Sequence, residues 1–136
     1  MFLTDYHMHS CFSPDANFSM REMAEAAAEK GINQVCFTDH IDDCYPIMCH
    51  SKEDSYFSKA DALKQSYYET KEALKGKIDL RLGYELASPH RNPALAREIA
   101  YGDGVDFVIG SVHSIPDVDD FYAVSYTHLD VYKRQL

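Results

Sequence analysis

Apolar and polar positions alternate along this chain in a repeating order of short apolar runs and longer amphipathic stretches, and each apolar run ends in a cluster of reactive side chains. Residues 2–7 predict a first strand that closes on His7-Met8-His9 and a loop containing Ser13-Pro14-Asp15. Ser19 and Glu22 have the spacing of a capping box, and Met23, Ala26, Ala27 and Lys30 carry a helix to Gly31, which suits a C-terminal cap. Val35-Cys36-Phe37 is an unbroken apolar run, the mark of a strand buried on both faces, with Thr38-Asp39-His40 at its end. Residues 41–54 mix Asp, Cys, Pro and Ser without a period and predict a long loop, which in compact domains is more often functional than idle. From Ser55, the residues Phe57, Ala60, Leu63, Tyr67 and Leu74 recur at roughly helical spacing up to Gly76. Ile78, Leu80 and Leu82 then alternate with polar residues into Gly83-Tyr84-Glu85, a third strand. Asn92 and Pro93 open a helix through Ala100, and residues 107–110 form a fourth strand running into Ser111-Val112-His113.

Strand and helix alternating in this way predict an α/β fold, a parallel sheet of four strands with right-handed crossover helices. Ligands bind such sheets, open or closed into barrels, at the carboxyl ends of the strands, where each polar cluster falls. His7 and His9 lie on one face of a strand, and a buried pair of neutral imidazoles needs several partners that a metal ion supplies at once. The collected residues are His7, His9, Asp15, Asp39, His40, Glu85 and His113, a mixture of imidazole and carboxylate that suits zinc, manganese or iron better than magnesium or calcium.

Composition narrows this picture. A chain of 136 residues with 46% hydrophobic content suits one globular domain. It has no apolar run of the ~20 residues that span a bilayer and no basic-then-apolar leader, so a cytoplasmic protein is expected, with no membrane partner. The net charge of −9 argues against nucleic acid and for a small-molecule partner, whose negative charge a bound metal can balance. Oligomeric state is left open. Cys11, Cys36, Cys44 and Cys49 show no CxxC spacing and are expected to be reduced, while Cys44, Cys49 and His50 make too loose a cluster for zinc. His50 and His90 read as solvated loop residues, and Tyr67 and Tyr68 as helix packing or surface. Residues 124–135, VSYTHLDVYKRQ, resemble the translation of an inverted transposon-end sequence used in preparing sequencing libraries. The expected division is therefore a partial domain over 1–123 and an artefactual tail over 124–136, which removes His128 from the candidates.

The HxH after the first strand, TDH after the second, GxE after the third and SVH after the fourth resemble the PHP domain, named for polymerase and histidinol phosphatase. The likeness covers essentially residues 1–123, and within the family it is nearest to the histidinol-phosphatases. It implies the N-terminal half of a distorted seven-stranded (β/α) barrel with up to three metals at the carboxyl end. His7, His9 and Glu85 would hold the first metal, Glu85 would bridge to a second also bound by His113, and Asp15 with His40 would hold a third. Asp39 would orient an imidazole. The family's remaining ligands, from later strands, have no counterpart, and an unclosed sheet predicts aggregation or marginal stability. The implied activity is metal-dependent hydrolysis of a phosphate monoester, histidinol phosphate in histidine biosynthesis, with Asp42 and Asp43 receiving the cationic substrate. The competing readings are a PHP nuclease or nucleotide phosphoesterase, an amidohydrolase-type barrel, for which no metal-bridging lysine is present, and a non-catalytic metal-binding remnant.

Overall fold

The structure, a computed structural model, describes residues 1–44 and 55–112. In chain order these form β1 (Thr4–Met8), α1 (Met20–Glu29), β2 (Gln34–Ile41), α2 (Tyr56–Ala73), β3 (Asp79–Ala87), a 3-10 turn at Pro89–Arg91, α3 (Pro93–Ala100) and β4 (Phe107–Ser111). The strands lie in the order β1-β2-β3-β4, every neighbouring pair parallel, as the alternation of elements requires. The expected clusters at His113, at Cys49 and His50, and in the 124–136 tail fall outside the described residues, as does most of the long loop.

Local chemistry sets the helix limits. The Ser19 hydroxyl accepts from the Glu22 N–H while the Glu22 carboxylate accepts from the Ser19 N–H, so the capping box is complete. Ser55 caps α2, and the Asn92 side chain accepts from the Leu95 N–H ahead of Pro93. Gly31 and Gly76 follow their helices with φ of 78° and 80°, left-handed conformations that cost other residues. Both central strands run further than the sequence pattern marks, so that Thr38-Asp39-His40 and Gly83-Tyr84-Glu85 lie inside β2 and β3 rather than beyond them. Ladder pairing continues through them, His40 opposite Glu85.

Alternate residues of β2 and β3 serve two different faces. Val35, Phe37 and Ile41, with Leu80, Leu82, Tyr84 and Leu86, pack on the helices around Met20, Ala24, Leu63, Tyr67, Leu74 and Ile99. The opposite face is tiered. At its amino end, the Tyr6 hydroxyl donates to Gln34, the Gln34 amide to Asp79, and Arg81 bridges Asp79 and Asp106. Above this, the rings of Tyr6 and Phe107 meet edge to face with centroids 5.2 Å apart. A flat sheet holds strands separated by two others about 14 Å apart, so this contact between the region of β1 and β4 requires the sheet to curl toward its own polar face. Gly83 lies in the fold of that curl. A Cβ there would stand 2.6 Å from the Phe107 carbonyl oxygen and 2.8 Å from Cys36 Sγ. The third tier, at the carboxyl end, holds the histidines and Glu85.

Candidate metal centre

Glu85 is the fixed point of this tier. It sits on the buried central strand β3 with its side chain only 6% exposed, and its Oε2 lies 2.8 Å from His7 Nε2, 3.0 Å from His9 Nε2 and 3.8 Å from His40 Nδ1. His7 comes from the end of β1, where the register against β2 is interrupted between Asp5 and Met8. His9 and Asp15 come from the following loop. Asp15 closes a second group: its carboxylate is 3.2 Å from His9 Nδ1 and 3.4 Å from His40 Nε2.

Two sets of donor atoms result, His7/His9/Glu85 and His9/Asp15/His40, within each of which the atoms lie no more than 4.8 Å from one another. His9 belongs to both, presenting Nε2 to Glu85 and Nδ1 to Asp15. A neutral imidazole carries one proton, so the ring meets both carboxylates as a donor only when doubly protonated. The hydrogen bond to Glu85 accordingly holds the His9 pKa above its ordinary value, against the opposing effect of burial, with Asp15 adding to the rise. Partial burial pushes the Asp15 carboxyl up, but the charges of His40 and His9 outweigh it and hold the group below its usual range. A cation held among these atoms would supply the positive charge that those extra protons otherwise bring. Nitrogen and carboxylate donors converging on one buried oxygen fit a divalent metal, and the Asp15 contact on Nδ1 is the carboxylate–imidazole arrangement that orients metal-bound histidines.

The structure thus brings together His7, His9, Asp15, His40 and Glu85. It gives Asp39 other partners than the expected imidazole. Asp39 accepts hydrogen bonds from Ser10 and Ser13, because alternation along β2 turns it away from the face that His40 occupies. Those two serines escaped the sequence reading, since serine in a loop is ordinary turn chemistry. Lys59 was also unforeseen: from the first turns of α2 its Nζ donates to the Phe12 carbonyl at 2.7 Å, tying the helix to the same loop. Asp42 and Asp43 follow directly on β2, half-buried, and Asp43 accepts from the Ser55 hydroxyl that caps α2. His90 is exposed, Tyr67 is buried with its hydroxyl donating to the Leu80 carbonyl, and Cys11, Cys36 and Cys44 are free thiols. No described helix is long and apolar enough to cross a membrane.

Comparison with known proteins agrees with this geometry. The PHP domain matches residues 5–136. The chain is 32% identical over 116 residues to the histidinol-phosphatase of Lactococcus lactis subsp. lactis (strain IL1403), covering 85% of this chain and 40% of that protein. It is 29% identical over 116 residues to a probable histidinol-phosphatase of Deinococcus radiodurans, covering 82% of this chain and 42% of the relative. The crystal structure of the Lactococcus lactis histidinol phosphate phosphatase, complexed with zinc, L-histidinol and phosphate, superposes with a TM-score of 0.71 at 26% identity, covering 88% of this chain and 45% of that one. The chain therefore spans less than half the length of these relatives. Its four parallel strands and crossover helices match the N-terminal half of a PHP (β/α) barrel. On the span of the family match and the shared fold, this chain belongs to the PHP domain family.

Proposed function

We propose that this chain carries part of the metal centre of a histidinol-phosphatase, hydrolysing histidinol phosphate to histidinol and phosphate. The observation that carries the reading is the convergence of His7, His9 and His40 on one buried oxygen of Glu85, beside a second donor group at Asp15. In this reading His7, His9 and Glu85 hold one divalent ion, Glu85 and His113 a second, and Asp15 with His40 a third, the ions being zinc, manganese or iron. Such ions lower the pKa of water and neutralise charge on phosphoryl oxygens, so no side-chain nucleophile is needed. The chain's own part is placement. Glu85 presents its carboxylate from a buried strand paired on both sides, and Asp15 holds the His9 ring through Nδ1. Asp42 and Asp43, two and three residues beyond His40, supply negative charge for the ammonium of the substrate. The solved relative holds L-histidinol and phosphate, the two products of this reaction, together with zinc.

The test is zinc titration of the metal-stripped chain, coupled to phosphate release from histidinol phosphate and from unrelated monoesters. Wild type should bind zinc, and Glu85→Gln should bind less of it and more weakly, because the His7/His9/Glu85 set is broken; equal binding by the two proteins defeats the assignment. Where turnover is measurable, Asp42→Asn with Asp43→Asn should raise KM for histidinol phosphate and leave unrelated monoesters unaffected.

A further inference from the structure

We propose that Asp39 is a positioning residue that fastens the loop carrying His9 and Asp15 onto β2, so that the Asp15/His40 side of the centre is assembled before any ion binds. The metal part of this inference rests on the function proposed above. Asp39 is 1% exposed, and its carboxylate is met by three donors. The Ser10 N–H donates to Oδ1 at 2.7 Å, the Ser10 hydroxyl to Oδ2 at 2.8 Å and the Ser13 hydroxyl to Oδ1 at 2.6 Å. Ser10 and Ser13 are themselves 0% and 3% exposed, so solvent does not substitute for these bonds.

The direction of each hydrogen bond follows from the backbone. The His40 N–H donates to Ser13 Oγ at 3.0 Å and the Phe12 N–H points to Ser10 Oγ at 3.4 Å. An N–H can only donate, so each hydroxyl accepts there and turns its own proton to Asp39. The result is a relay from the His40 backbone through Ser13 to the carboxylate, with β2 and the loop holding each other. Ser10 adjoins His9 and Ser13 precedes Asp15 by two residues, so the stretch between the two candidate ligands is pinned at both ends. The Ser13 N–H to Ser10 carbonyl bond, at 2.8 Å, closes it internally. The ordering of this loop is met on folding rather than on ion binding, which is the condition for a preorganised site.

Three substitutions separate clamping from a through-space effect of the Asp39 charge. Asp39→Asn removes the charge but keeps Oδ1 for the Ser10 N–H and the Ser13 hydroxyl, and the Ser10 hydroxyl can rotate to accept from the new amide. Asp39→Ala removes charge and clamp together, and Ser13→Ala removes one tie while leaving the charge. Amide exchange on the full metal-stripped chain reads the clamp directly, with far-UV circular dichroism confirming the fold. Zinc affinity by chelator competition reads its consequence. Asp39→Ala and Ser13→Ala should exchange the Ser10, Phe12 and His40 amides at least about tenfold faster and bind zinc about 10–100-fold more weakly, with Asp39→Asn within about threefold of wild type in both. Unchanged exchange in Asp39→Ala and Ser13→Ala overturns the clamp, and so does Asp39→Asn behaving like Asp39→Ala. A wild-type chain that binds no zinc would instead sink the proposed function, with amide exchange still deciding the clamp.

Discussion

The central strands and the outer strands of this sheet are built to different standards, and the candidate site spans both. β2 and β3 are buried along nearly their whole length, whereas β1 and β4 are exposed or half-exposed at most positions. The site residues divide the same way: the side chains of His40 and Glu85 are 7% and 6% exposed, those of His7 and Asp15 57% and 42%. A buried carboxylate on a doubly paired strand is a fixed point, since movement would unmake two ladders. An imidazole at the end of an outer strand can adjust to what it binds. The centre thus combines buried groups on the central strands, Glu85 and His40, with more exposed ones, His7 and Asp15, and Asp39 fastens the loop between His9 and Asp15 to β2.

The sharpest test of this contrast is to remove one metal-binding side chain from each region. Glu85→Ala should lower retained zinc the most, because both the common oxygen and its charge go and only the His9/Asp15/His40 group remains, whereas His7→Ala should weaken binding less, leaving His9, Glu85 and the Asp15 group in place. Zinc content after gel filtration measures both, and equal losses would remove the distinction between fixed and adjustable donors. Stability should divide along the same line. Leu82 on β3 is fully buried and its replacement by Ala should cost about 2–5 kcal/mol, measured by denaturant unfolding. Phe107 on β4 is 39% exposed, so Phe107→Ala should cost less than Leu82→Ala. The reverse order would mean that the Tyr6–Phe107 contact, rather than the central strands, holds the curl.

Thiol chemistry gives a finer reading. Cys36 lies in β2, and burial pushes its thiol up to about 12, so it should resist alkylation until the protein unfolds. Cys11, exposed in the loop after β1, should react at once under the same conditions, with mass spectrometry locating the label. Early labelling of Cys36 would show that the central strands open locally. The smallest effect concerns the amino end of the sheet. The Gln34 hydrogen bond, reinforced by Arg81, holds the Asp79 carboxyl below the usual carboxylate range. A group lowered on folding stabilises the native state above its unfolded pKa, and that contribution disappears as pH falls through the folded value. Asp79→Asn should therefore lower stability slightly at neutral pH, leave the most acidic end nearly unchanged and so flatten the slope below about pH 4, a small effect because the group is substantially exposed. An unaltered acid limb would mean the network contributes nothing.

Much of this was legible beforehand where the relevant physics is local. The Ser19–Glu22 box, the Asn92-Pro93 start and the glycines after α1 and α2 act within a few residues, and all took the expected form. The parallel order followed from alternation of elements, and the ligand candidates from polar clusters at the ends of apolar runs. What sequence spacing by itself determined, then, was which residues form strands and helices, which strand end each candidate occupies, and the kinds of donor atom available. Tertiary structure alone decided that Tyr6 reaches Phe107 across two strands, that one oxygen of Glu85 gathers three imidazoles, and that Asp39 faces Ser10 and Ser13. The physical reason is distance along the chain: the Glu85 contacts with His7 and His9 join residues separated by 78 and 76 positions, and the curl of the sheet, which no local pattern encodes, is what brings them together.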